Sequence, residues 1–353
     1  MRISFWPGAQ QTWEEVLMLT RHVESKGWDG VWYADHFMPD AEDTSEDCNE
    51  MWSTLAGLAA MVPRLRIGSM VSCNTYRHPA VLAKIAATVD NISGGRLVLG
   101  IGAGWQENEH LAYGLQFPSL GGRMRRMEEA CQVLKALFNQ HRSNYQGRYY
   151  RLDEAPLEPK PIQNPLPLLI GGGGEKVTLR ITAQYADEWH VWGDVATFAH
   201  KAAVLDRHCA RLGRNPEEIA RSTCALVHLS EDPQEVERIR NAAQDYVTIA
   251  GNCEQISEML SSYEQAGCDE FILPDFNLQP GNAKLDALDK QLDDSHYGLE
   301  DVKRQVSEYL AVRKLSGSGR ADVLLLVGPP GVGKTSIGQA IADATDRKLV
   351  RVA

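Results

Sequence analysis

Ser72, Cys73, Asn74, Tyr76, His78, Gly102, Gly104 and Trp105 place hydroxyl, thiol, amide, phenol and imidazole groups beside glycines and an indole within 34 residues. Such a set can hydrogen-bond a ligand, let it approach the backbone at glycine, and cover it with an aromatic face. A second set, Gly328, Gly333, Lys334 and Thr335, completes a G-x-x-x-x-G-K-[ST] pattern. In that pattern backbone N–H groups cradle phosphates, the lysine reaches the β and γ oxygens, and the threonine hydroxyl binds Mg²⁺.

The elements around the first set read as a βαβ unit. Two continuous apolar runs, Ile67 to Val71 and Leu97 to Ile101, have the pattern of parallel strands covered on both faces, and an amphipathic helix from Pro79 to Ile92 lies between them. Their polar residues fall just past the carboxyl ends of the strands, the edge where parallel α/β folds bind ligands. Strand and helix patterns alternate along the rest of the chain, with strands at Ile3 to Trp6, Gly30 to Ala34, Leu168 to Ile170, Glu188 to Trp192, Thr223 to Leu229 and Phe271 to Leu273. Helical patterns cover Thr12 to Ser25, Met51 to Met61, Arg125 to Phe138 and Val177 to Tyr185. Eight β/α units in about 275 residues predict an α/β fold of the closed (β/α)₈ TIM-barrel type with insertions rather than an open sheet. Tyr145 to Pro167, rich in Gly and Pro, predicts extended segments and turns inserted on that barrel.

Composition narrows the function classes. The net charge of -11 disfavours a nucleic-acid or anionic-membrane partner, since both need a basic footprint. No apolar run approaches the roughly 20 residues of a spanning helix, and MRISFWPG lacks the features of a signal peptide. Seven scattered cysteines without a C-x-x-C, and histidines without H-E-x-x-H, predict reduced thiols in a cytoplasmic protein and no metal site.

Several long motifs, in order, resemble the luciferase-like monooxygenase superfamily, and within it the coenzyme F420-dependent oxidoreductase branch. They are GWDGVWYADHF (27–37), NTYRHPAVLAKIAATVDNISGGRLVLGIGAGWQENE (74–109), GRYYRL (147–152), PLLIGGGGEKVTLRITAQYADEW (167–189) and DEFILPDF (269–276). The resemblance implies a flat deazaflavin or flavin with a phosphorylated tail. Ser72, Cys73 and Asn74 resemble the family segment that presses on one ring face through a bulge, often with a non-prolyl cis peptide. An ordinary polar turn capping the next helix is the competing reading. Gly171, Gly172, Gly173 and Gly174, with Lys176, open a helix whose N–H groups can bind a phosphate, or else form a plain tight turn. His36 is the candidate for handling the substrate proton, because an imidazole titrates near neutral pH. Glu109 is its candidate partner, or equally a solvated helix start; Asp35 orients His36 or caps the next turn. Trp105 would form an aromatic wall, and Trp189 and His190 line the pocket or belong to the core.

From Gln279 the chain turns polar and charged, which gives a division into a barrel over 1–278, a linker over 279–291 and a third segment over 292–353. That last segment resembles the start of the ATPase module of Lon-type proteases, through LDDSHYGLEDVKRQVSEYLAVRKL and GPPGVGKTSIGQAIA. It contains a short, incomplete P-loop βα fragment. Without Walker B, sensor or protease segments, ATP hydrolysis and proteolysis are not expected, and ATP with Mg²⁺ enters only if this P-loop is competent alone. The leading expectation is F420-dependent hydride transfer to or from a small organic substrate. An FMN-dependent monooxygenase is the rival, and a nucleotide-binding regulatory protein using the P-loop is the alternative from another class. Family resemblance implies a homodimer.

Overall fold

The computed structural model describes residues 1–242 and 246–278. In chain order its elements are β1 (Arg2–Trp6), α1 (Trp13–Ser25), β2 (Gly30–Tyr33), α2 (Met51–Met61), β3 (Arg66–Ser69), β4 (Ser72–Cys73), α3 (Pro79–Ser93), β5 (Leu97–Gly102), α4 (Glu107–Ala112), α5 (Leu120–Asn139), β6 (Ser143–Gln146), β7 (Arg151–Ala155), β8 (Leu168–Gly171), α6 (Thr178–Tyr185), β9 (Glu188–Trp192), α7 (Val195–Leu212), β10 (Ala220–Cys224), β11 (Leu226–Leu229), α8 (Pro233–Asn241), β12 (Thr248–Gly251), α9 (Cys253–Gln265) and β13 (Glu270–Pro274). The chain divides after Asp294, and every described residue lies in the first unit. The linker, the third segment and the P-loop residues Gly328, Gly333, Lys334 and Thr335 lie outside the described residues. Among the described residues no helix is long and apolar enough to cross a membrane.

The strands pair in the order β3, β2, β1, β13, β10, β9, β8, β5, and β5 pairs back to β3 to close the ring. These pairings are parallel, and β4 resumes the line of β3, so the ring is the expected eight-stranded (β/α) barrel. Strand β5 shows how sequence makes such a strand. Leu97, Leu99 and Ile101 join the layer between strands and helices, while Val98 joins the barrel interior with Trp6, Trp32, Met70, Leu169, Cys224 and Ile272. Both faces are buried, so the run is apolar throughout. Helix α3 supplies the outer layer there through Leu82, Ala83, Ala86 and Ala87. His78 caps its start, Pro79 occupies the first turn, and Gly94 ends it at φ 70°, a conformation glycine adopts without a Cβ penalty.

The amino-terminal end of the barrel is closed by charge. Glu270, fully buried, accepts from Ser4 Oγ at 2.6 Å, Trp32 Nε1 at 2.8 Å, Arg66 at 2.5 Å and Arg2 Nε at 3.0 Å, and Arg66 also holds Glu188 at 2.6 Å. With that end filled, ligand access is left to the carboxyl end.

Two strand expectations are corrected. The run Ile67 to Val71 breaks after Ser69, with a cis peptide at Met70–Val71, before β4 begins. The reason lies on the neighbouring strands β5 and β8: a Cβ at Gly100, Gly102 or Gly171 would come within 2.9, 2.7 or 3.1 Å of the Val71 side chain. The three glycines leave the room that this bulge fills. The run Thr223 to Leu229 also breaks, because Ala220–Cys224 stays in the barrel while Leu226–Leu229 leaves it to pair with Thr248–Gly251. An apolar run has the same pattern whichever sheet each half joins. The Pro-rich insertion forms the hairpin β6/β7.

Candidate active site

The barrel places the loops after β2 and β5 on one rim, with only β3 and β4 between them. His36 lies past β2 and Glu109 lies in α4, 73 residues later, yet His36 Nδ1 is 3.0 Å from Glu109 Oε1. Glu109 is fully buried and its other oxygen accepts from the Phe37 N–H at 2.8 Å. The Tyr76 hydroxyl also donates to Glu109 Oε1. Three donors converge on one carboxylate, which fixes the His36 ring and leaves Nε2 as an acceptor beside Trp105. The solvated-helix reading of Glu109 is therefore set aside. Trp105 stands edge-on to His36, with ring centroids 5.5 Å apart, and is 62% exposed, so it walls the mouth rather than the interior.

The bulge lies in β3/β4, between β2 and β5, and the cis peptide falls at Met70–Val71, before rather than within the predicted Ser72 to Asn74 turn. Ser72 is fully buried, and its hydroxyl accepts from Trp52 Nε1 at 3.2 Å. The Cys73 N–H donates to Asp35 at 2.8 Å, and its thiol, pushed up to about 11 by burial, sits 3.0 Å from Thr75 Oγ1. Asn74 is 3% exposed; its amide donates to the Tyr150 hydroxyl at 3.3 Å, whereas its Oδ1 has no partner among the described residues. A buried acceptor of that kind is costly unless a ligand meets it. Gly104 takes φ 85°, and a Cβ there would lie 2.8 Å from both Cys73 Sγ and Thr75 Oγ1.

His110 ties these turns together. Its Nδ1 donates to the Gln106 carbonyl at 2.6 Å, which leaves Nε2 to accept from Thr75 Oγ1 at 2.6 Å. Sequence reasoning missed His110, Tyr150 and Val71. Only for Val71 was there a signal, the glycines at 100, 102 and 171.

Other candidates find structural employment. Asp35 neither orients His36 nor caps a turn: it holds Arg77 through both oxygens, at 2.5 and 3.1 Å. His78 is an exposed helix cap that accepts from the Ala80 N–H at 3.1 Å. Trp189 is core, stacked on Phe198, and donates to the Gly172 carbonyl at 2.9 Å. His190 points inside the barrel, 3.0 Å from Ser222 Oγ and 3.3 Å from Cys224 Sγ, and burial pushes its pKa down to about 4.

Past β8, the neighbour of β5 on the same rim, Gly172 adopts φ 127° and a Cβ on Gly174 would meet Thr178 Oγ1 at 2.6 Å. Helix α6 begins at Thr178, one residue later than expected, and its N-cap Val177 provides no side-chain cap. Lys176 is exposed. Lys201, on α7, is the cation nearer the glycines: its Cε would lie 3.6 Å from a Cβ on Gly173, and its Nζ pairs with Glu175 at 2.7 Å.

The family model described as luciferase-like monooxygenase matches residues 1–322, and that of the ATPase family associated with various cellular activities matches residues 324–353. An F420-dependent glucose-6-phosphate dehydrogenase of Kineococcus radiotolerans is 37% identical over 158 residues, 44% of this chain and 46% of the relative. One from Microbacterium testaceum is 31% identical over 202 residues, 56% of this chain and 59% of the relative. The chain thus spans about half the length of these curated relatives. Lon protease 4 of Sorangium cellulosum is 59% identical over 68 residues, 19% of this chain and 8% of that protein. Among solved structures, an F420-dependent secondary alcohol dehydrogenase in complex with an F420-acetone adduct superposes with a TM-score of 0.71 at 20% identity, covering 83% of this chain and 98% of the other. The EDTA monooxygenase of Chelativorans superposes with the same score at 14% identity, covering 83% and 92%. These two likenesses concern the fold alone.

Proposed function

The chain belongs to the luciferase-like monooxygenase family, and on that premise we propose that it is an F420-dependent oxidoreductase moving a hydride between the deazaflavin and a small organic substrate. The observation that carries this reading is His36, held through Nδ1 by the buried Glu109 and, among the described residues, without a partner at Nε2 beside Trp105. The residues fit such a cofactor. Val71 offers an apolar face, Asn74 Oδ1 an unmet acceptor for a ring N–H, Gly102 and Gly104 close backbone approach, and Gly172 to Gly174 with Lys201 and Lys176 a cradle for the tail phosphate.

A bound deazaflavin supplies a two-electron hydride acceptor or donor. The chain's own residues supply the rest. His36 Nε2 takes the hydroxyl proton as hydride leaves the carbinol carbon, and returns it in the reverse direction. Glu109 holds the ring in the tautomer this needs and stabilises the imidazolium that forms. Tyr76 and the Phe37 N–H keep Glu109 in place. In this reading Ser72, Tyr76 and His78 support the site without touching the cofactor, a homodimer is the assembly implied by the family, and the barrel over 1–278 works without the segment over 292–353.

The test is a titration of the full chain with F420 and with FMN, monitored by fluorescence quenching. Saturable F420 binding in the micromolar range or tighter is expected. Saturable FMN binding without F420 binding overturns the proposal in favour of a flavin monooxygenase.

A further inference from the structure

The loop between β2 and α2 carries Asp40, Glu42, Asp43, Glu46 and Asp47, all exposed. Its position is fixed at both ends. Gln106 Nε2 and Asn108 Nδ2 donate to the Met38 and Pro39 carbonyls at 2.9 and 3.2 Å, and Asn49 binds the Ala9 and Gln11 carbonyls at 3.1 and 2.5 Å. The acidic stretch is therefore held as an arch on the His36 side of the carboxyl rim, its ends tied to the loops after β1 and β5.

The cation in the turn after β4 is already committed to carboxylates. Arg77 holds Asp35 and reaches Glu50 Oε1 at 3.3 Å. Across the ring, past β8, Lys201 and His200 share Glu175 at the end assigned to the cofactor tail. The inner wall beside His36 is aromatic: Trp105 meets His36, and Phe37 packs against Tyr76 and Tyr113 with centroids 4.5 and 5.2 Å apart. Tyr113 is 58% exposed, so this surface faces the mouth.

Resting on the F420 reading above, we propose that the substrate is an apolar, preferably aromatic, alcohol or ketone that is neutral or cationic, and not a sugar phosphate or other anion. The aromatic wall takes the substrate body, and the acidic arch repels phosphate and carboxylate while favouring an ammonium. In the oxidative direction the C–H pair passes as hydride to the bound F420 and the O–H proton passes to His36 Nε2, giving the carbonyl and reduced F420. Five exposed carboxylates, screened at physiological salt, are expected to weaken an anion relative to a neutral analogue by about tenfold.

Calorimetric titration of the full chain, with and without F420, tests this with four probes: benzyl alcohol, para-(aminomethyl)benzyl alcohol, para-(hydroxymethyl)benzoate and glucose 6-phosphate. The first two should saturate, and the two anions should bind at least about tenfold more weakly. In the double variant Asp43→Lys, Glu46→Lys the gap should narrow by about threefold or more, with F420 affinity unchanged. Equal or tighter binding of either anion, a failure of benzyl alcohol to saturate, or a gap that the variant leaves unmoved overturns the assignment. F420 affinity is read separately on the same protein. Loss of F420 binding with the charge order intact sinks the cofactor reading and supports the arch; the converse keeps the cofactor and sinks the arch.

Discussion

Glu109 gathers three donors, and two of them make distinct predictions. His36→Asn removes the proton acceptor and is expected to lower kcat by about 10²- to 10⁴-fold, with F420 affinity unchanged; steady-state kinetics and a quenching titration read the two effects apart. Tyr76→Phe removes a donor to a charged group, so a loss of about tenfold in kcat is expected together with a shifted pH profile of kcat/KM. An unmoved profile would assign Tyr76 to packing only. His190 makes a prediction about stability. Its folded pKa is pushed down to about 4 from 6.5, so the unfolded chain binds the extra proton between those values. Stability is then complete above pH 6.5 and falls as the pH drops towards 4, by an amount on the order of 3 kcal/mol. Denaturant midpoints over that range check it, and His190→Gln should flatten the slope.

Among the elements, the β3/β4 bulge is fitted to the glycines that face it. A Cβ at Gly102 would sit 2.7 Å from Val71 Cγ2, so Gly102→Ala must displace the bulge, which the proposed function sets against the ring. The expected result is F420 affinity weakened by about tenfold or more with a far smaller change in Tm. Equal affinity would separate the bulge from the cofactor. The sequence exposes the period of these elements better than their breaks. The strands β5 and β9 are legible because burial on both faces demands an apolar run, and α3 because Pro79 and Gly94 punctuate it. The break after Ser69 is not, since Met70 and Val71 continue the apolar run. The pairing of His36 with Glu109 depends on ring closure, which no local pattern carries. The role of Asp35 is hidden for a similar reason: its partner Arg77 is 42 residues away.

At the scale of the whole molecule, a barrel closed by charge around Glu270 and open at the opposite rim explains why the candidate chemistry collects at one end. The barrel is also expected to stand without the segment beyond Asp294. A chain ending at Asp294 should keep the Tm and F420 affinity of the full chain, and Lys334→Ala should change neither; loss of cofactor binding on truncation would give the later segment a role in the site. A crystal structure of the full chain with F420 tests this arrangement directly. The ring is expected against Val71 and Asn74, its reactive carbon facing the substrate space beside His36 Nε2, and the tail phosphate at Gly172 to Gly174. A ring seated away from the bulge, or a phosphate bound elsewhere on the rim, would contradict it.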